Sequence, residues 1–206
     1  MDFYGIDESG NNTSIDGEKA AKMSRKVSVY FVLRLVIIFF NIINIALKGI
    51  IDSPAAGRVL FCITAVLLIL LVTDTFLMSS YSKIFIPAGV IQLLDLGLTF
   101  VNMPDGMLFE GIDAAITVLS ICVFSKAMEN SLNEVGSDLG RFWKYLGIAF
   151  AGVFIATIAG AGMGYLNMFA LAILVLILAI IGILGAGIFY LYLLVRTAKE
   201  FRDCAY

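Results

Sequence analysis

The sequence predicts an all-α integral membrane protein of six transmembrane helices with both termini cytoplasmic, and three observations lead there. The chain is apolar throughout: of its 206 residues 61% are hydrophobic and 15% charged, with a mean hydropathy of +0.99, whereas soluble domains carry roughly 25% charged residues. It contains six apolar stretches that reach or nearly reach the roughly 20 residues that a helix needs to cross about 30 Å of hydrocarbon. Its basic residues also sort by side once these stretches are taken as spans. Of 14 Lys and Arg, only Lys48 and Arg58 fall on one side and Arg34 lies within a span. The remainder (Lys19, Lys22, Arg25, Lys26, Lys83, Lys126, Arg141, Lys144, Arg196, Lys199 and Arg202) share the other side. Basic residues near span ends resist translocation, so that side is the cytoplasmic one.

Taken in order, residues 1–26 are polar, with Gly5, Gly10, Asn11, Asn12 and Gly17 among charges of both signs. Such a composition buries too little apolar surface to fold alone and predicts a disordered cytoplasmic tail. A charged stretch before the first apolar run, with no small-residue cleavage site after a short core, is not the pattern of a signal peptide. Asn11 and Asn12 each begin an N-x-S/T triplet, which matters only on a translocated segment.

The transmembrane domain spans 27–198, with spans at 27–47, 59–79, 84–101, 107–125, 142–163 and 166–195, followed by a short tail at 199–206. The third and fourth spans are the weakest: each carries an Asp, and the third also has Pro87 and Gln92. Four spans plus a re-entrant hairpin is therefore the alternative, and it leaves the charge sorting unchanged. The Asn102-Met103-Pro104-Asp105-Gly106 linker favours six, because Pro-Asp-Gly between apolar runs marks a tight turn. The longest loop, Ala127 to Arg141, is rich in Ser, Asn, Gly and acidic residues; it reads as a solvated connector or as a docking site for a cytosolic partner.

Ionisable groups inside a span are costly, by about 2.5–3.5 kcal/mol at the centre, and each needs a partner or a purpose. With a rise of about 1.5 Å per residue, Asp95 and Asp113 come to one depth, roughly 9–11 Å from the external ends of their helices. Asn41 and Gln92 fall in or beside the same layer. Two carboxylates facing each other in low dielectric would share a proton. Nearer the cytoplasm, Arg34 and Asp74 fall at comparable depths on consecutive spans, which suggests an intramembrane ion pair; snorkelling of Arg34 to the interface is the simpler alternative. These residues form a polar track that suits a proton, cation or small polar solute, or else hydrogen-bonded glue between helices.

The fifth span carries Gly152, Ala156, Gly160 and Gly164 at intervals of four, and the sixth carries Gly182 and Ala186. Small residues at this spacing let helices approach closely, here within a hairpin of spans five and six or at a second subunit. Trp143, Tyr145, Tyr190 and Tyr192 beside basic residues read as anchors in the headgroup region.

Several function classes drop out. The chain has no His, which removes His-ligated haem, zinc and copper and any Ser-His-Asp triad, and no paired nucleophile and base is evident. No catalytic residue, metal site or cofactor is assigned. Cys62, Cys122 and Cys204 are far apart and form no CxxC, so no disulfide framework is implied. A net charge of −2 with dispersed Lys and Arg argues against nucleic acid. The partners expected are the lipid bilayer and either a second copy or a membrane subunit. The sequence thus leads to a transport-related membrane protein working through a carboxylate layer, with a non-catalytic subunit or scaffold, docking through spans five and six, as the second reading.

Overall fold

The computed structural model describes residues 17–48, 54–100 and 107–205, side chains at a few helix ends excepted. They form six helices: α1 (Gly17–Lys48), α2 (Pro54–Met78), α3 (Phe85–Phe100), α4 (Met107–Glu134), α5 (Gly140–Tyr165) and α6 (Phe169–Asp203). Five of these, all but α3, are long and apolar enough to cross a bilayer. With 16 residues, α3 reaches about 24 Å, less than the roughly 30 Å of a hydrocarbon core.

Each helix packs on its neighbours in sequence, and α1 returns to α6, which closes the ring. Short connections between packed neighbours make consecutive helices antiparallel. The Lys26–Asp74 contact sets the start of α1 beside the end of α2, and the Trp143–Thr197 bond sets the start of α5 beside the end of α6. The bundle therefore has a basal end, holding both Gly17 and Ala205, and a distal end opposite.

What faces outward decides the class. Val32, Phe39 and Ile42 on α1, Ile155 and Ile158 on α5, and Ile177, Leu184 and Ile188 on α6 are all exposed. A water-soluble fold does not leave such continuous apolar belts open, whereas hydrocarbon covers them at no cost. Helices also satisfy their own backbone groups, as a chain in lipid must. The chain is an all-α polytopic membrane protein.

The packed core lies toward the basal end. Met23, Val27 and Tyr30 of α1 meet Phe85 of α3, Phe124, Met128 and Leu132 of α4, Trp143 and Leu146 of α5, and Leu193, Leu194 and Phe201 of α6. Toward the distal end, buried apolar side chains among the described residues are sparse and mostly small, as at Ala65, Ala172 and Ala179. Where α2 and α3 cross, a Cβ on Gly89 would come within 2.9 Å of the Phe76 ring, so only glycine permits that approach.

Two segments differ from the sequence reading. Residues 17–26, read as part of a disordered tail, are helical and continue α1 toward the basal end: Ala20 and Met23 are buried, and the Ser24 hydroxyl donates to the Ala198 carbonyl at 2.6 Å. Hydropathy alone missed this because the stretch is amphipathic, with its apolar side against α6. The Ala127–Arg141 loop is likewise mostly helix, since α4 runs to Glu134 and buries Ala127, Met128 and Leu132. The expected tail at 1–16 and the expected turn at 102–106 lie outside the described residues.

The described turns after α4 and α5 stop in the same way. Gly136, at φ 71°, donates to the Asn133 carbonyl while Ser137 donates to Leu132. Asn167, at φ 59°, donates to Gly164 while Met168 donates to Met163. These paired bonds cap otherwise orphaned carbonyls, and Gly and Asn are the residues that tolerate the left-handed backbone required.

Candidate functional site: an interior polar network

Inside the bundle the hydroxyl of Tyr30 is a hub. Tyr30, fully buried, receives Nε and Nη2 of Arg34 at 3.2 and 3.0 Å. It also receives Nε2 of Gln92 at 3.1 Å, and the Tyr190 hydroxyl oxygen lies 3.2 Å away. On its other side, Oε1 of Gln92 accepts from Thr75 Oγ1 at 2.7 Å. One connected set of hydrogen bonds thus joins α1, α2, α3 and α6 through Tyr30, Thr75, Gln92 and Tyr190.

Helical spacing explains the convergence. Tyr30 and Arg34 stand one turn apart on α1, where an i, i+4 pair shares a face, and the guanidinium carbon lies 5.4 Å from the Tyr30 ring centroid. The same ring stacks on Phe124 at 4.4 Å with an interplanar angle of 12°. Phe124 in turn meets Phe85, Trp143 and Tyr190 edge-on. This aromatic cluster fills the basal side of the network and fixes the position of the hub.

The carboxylates lie on the distal side. Asp95 accepts from Thr117 Oγ1 at 2.8 Å, and Asp113 lies one turn from Thr117 on α4. Asp95 also feels the charges of Asp113 and Arg34. Asp113 and Asn41 are exposed, whereas Gln92 is buried.

The layer read from the sequence as Asn41, Gln92, Asp95 and Asp113 is therefore split in its contacts. Asp95 and Asp113 share the Thr117 neighbourhood, Gln92 turns to Thr75 and Tyr30, and Asn41 makes no hydrogen bond with any of the other three. The Arg34–Asp74 pair is not formed. Asp74 instead lies 3.5 Å from Lys26 Nζ through Oδ1, while its buried Oδ2 has no partner. The reason is register: α2 ends at Met78, one turn past Asp74, and that level on α1 belongs to Lys26, two turns basal of Arg34.

Sequence reading missed Tyr30, Thr117 and the role of Tyr190. Beside basic residues Tyr190 and Trp143 read as interfacial anchors, yet Tyr190 is 9% exposed and Trp143 is fully buried, with Trp143 Nε1 donating to Thr197 Oγ1 at 2.8 Å. α6 continues past Tyr190 to Asp203, and Trp143, although in the first turn of α5, sits on the face turned to α4 and α6, where it meets Phe124, Tyr190 and Thr197. The usable signal was the Tyr30–Arg34 spacing, since an i, i+4 pair shares a helix face and brings the guanidinium to the hydroxyl. Tyr145 and Tyr192 remain exposed, as anchors would.

The small residues of α5 and α6 divide by environment. A Cβ on Gly160 would meet Leu176 at 3.1 Å and one on Gly182 would meet Val153 at 2.8 Å, so these two close the α5–α6 hairpin. Gly152 and Gly164 have nothing within 4 Å of an added Cβ, while Ala156 and Ala186 line an open groove.

No family model matches the sequence, and neither the curated proteins nor the solved structures contain a significant match.

Proposed function

We propose that this chain is a transport-related membrane protein, a small permease, channel or transporter subunit that handles a proton, cation or small polar solute. In this reading the six helices all cross the bilayer, with the basal end cytoplasmic. The observation that carries it is the connected interior network of Thr75, Gln92, Tyr30, Arg34 and Tyr190, flanked distally by Asp95, Thr117 and Asp113. Polar and ionisable groups at this depth are expensive to insert, and in membrane proteins they recur along ion and proton paths. Packing that is sparse at the distal end among the described residues favours entry from that side by way of Asp113 and Asp95. The cluster of Phe124, Trp143, Tyr30 and Tyr190 acts as the basal seal, which must loosen for a solute to pass.

The test is flux in proteoliposomes, read with an entrapped pH-sensitive dye and with small-cation tracers. The double variant Asp95→Asn/Asp113→Asn is expected to abolish pH-dependent flux while thermal stability stays close to wild type. Normal flux in the variant, or no flux of protons or cations in the wild type, sinks the reading.

A further inference from the structure

On the outer side of the α5–α6 hairpin, away from the polar network, lies an apolar groove of about 640 Å³. This is within the range of about 300–1,000 Å³ typical of small-molecule sites. Gly152, Ala156, Gly182 and Ala186 are among its lining residues, with Tyr145 and Phe189 toward the basal end. A Cβ at Gly152 or Gly185 would meet nothing within 4 Å, so packing within the chain does not require small residues there. The space they leave is open to an occupant from outside.

Length and charge identify that occupant. Along α5 the lining runs from Tyr145 to Ala156 and along α6 from Val175 to Phe189, about 17 Å and 21 Å at 1.5 Å per residue. Both fall short of the roughly 30 Å of the hydrocarbon core, and the α5 wall is close to the roughly 15 Å of one leaflet. One turn farther, at Gly160, the side chains of Leu176 and Val175 fill the space. A crossing helix of a second copy could also seat on small residues over a few turns, so the charge at the mouth decides for a lipid. The basal mouth is basic: Arg141 precedes Tyr145 by one turn, and Arg196 follows Phe189 by two turns on the same face. Arg141 is an exposed side chain 3.4 Å from an equally exposed Asp138. Arg196 is exposed and forms no ion pair among the described residues.

We propose that the groove binds one acyl chain of an anionic phospholipid from the leaflet at the basal end, with Arg196 and Arg141 holding the lipid phosphate. The hydrocarbon tail replaces contacts that the glycines leave unmade, and the guanidinium groups offer the planar donor fork suited to phosphate oxygens. This assignment is independent of the interior network and of any flux through it.

Trp143 supplies the probe, being the chain's single tryptophan and lying one turn from the groove residue Leu146. The full-length protein is reconstituted into phosphatidylcholine vesicles containing, at matched mole fraction, phosphatidylglycerol or phosphatidylcholine brominated on the acyl chains. Stronger quenching of Trp143 by the brominated phosphatidylglycerol is expected. Arg196→Gln should weaken that preference roughly fivefold, the share one basic side chain contributes at an anionic surface. Gly152→Leu/Gly185→Leu, at positions where an added Cβ meets nothing within 4 Å, should fill the groove and remove the preference. Equal quenching by the two lipids in the wild type overturns the proposal, as does a preference that survives both variants. If the groove-filling variant leaves quenching unchanged but turns a dimer into a monomer by light scattering, the occupant is a second copy and the lipid assignment falls.

Discussion

Taking one oxygen from Tyr30 would deprive the half-buried Arg34 and the buried Gln92 of their shared acceptor. Leaving a buried donor unsatisfied costs about 1–3 kcal/mol, more when the group is charged. Tyr30→Phe is therefore expected to lower stability by at least about 2 kcal/mol, seen as a reduced thermal midpoint in detergent. Gln92→Leu should cost less, because Thr75 already lies 3.0 Å from the Leu71 carbonyl and can turn its hydroxyl there. Equal stability of Tyr30→Phe and wild type would remove the hub. Arg34, Gln92 and Asp95 stood out in the sequence because a polar residue in an apolar run is conspicuous. Tyr30 did not: an aromatic residue in a span costs nothing to insert, and its hydroxyl acquires meaning only when Gln92 of α3 and Tyr190 of α6 aim polar groups at it beside Arg34 of its own helix.

At the scale of elements, the hairpin of α5 and α6 shows how one sequence pattern can hold two kinds of position. The interval of four from Gly152 to Gly164 announces a close-packing face, and the two helices do pack together. Which glycine is needed for that packing depends on the neighbour opposite. Gly160→Leu is expected to destabilise the hairpin by about 1–3 kcal/mol, the usual cost of overpacking, because Leu176 and Val175 already occupy that space. Gly152→Leu should leave the unfolding midpoint within error of wild type. Chemical denaturation of the two single variants in mixed micelles separates them, and equal loss in both would show that the face is uniform. The ends of α1 and α4 carry a related lesson. Their basal extensions are charged enough to read as tail and loop, yet Met23, Met128 and Leu132 give each a buried stripe. Window-averaged hydropathy responds to composition, whereas packing responds to which side of the helix is apolar.

For the whole molecule, the side on which the basal end lies is open to a direct test at Cys204, near the end of the chain. Its thiol is exposed, and partial burial followed by the negative charges of Glu200 and Asp203 pushes its pKa up. A raised pKa means less thiolate at neutral pH, so alkylation should be slow there and speed up as pH rises; Asp203→Asn should speed it at fixed pH. With a membrane-impermeant maleimide, Cys204 is expected to label in inside-out vesicles and to resist labelling in intact cells. Labelling from outside would invert the topology. The sequence by itself determined the solvent this protein lives in, its helical class and the approximate places of its apolar segments, because these depend on composition and on the length needed to cross hydrocarbon. It also marked Arg34, Asp74, Gln92, Asp95 and Asp113 as costly groups in need of partners. Only the tertiary structure decided the partners: Lys26 rather than Arg34 for Asp74, Tyr30 for Arg34 and Gln92, and Thr117 for Asp95. Pairing across helices depends on their axial register and rotation. Those are set by the joint packing of Tyr30, Phe124, Trp143 and Tyr190, residues drawn from four helices, which no single segment of sequence can express.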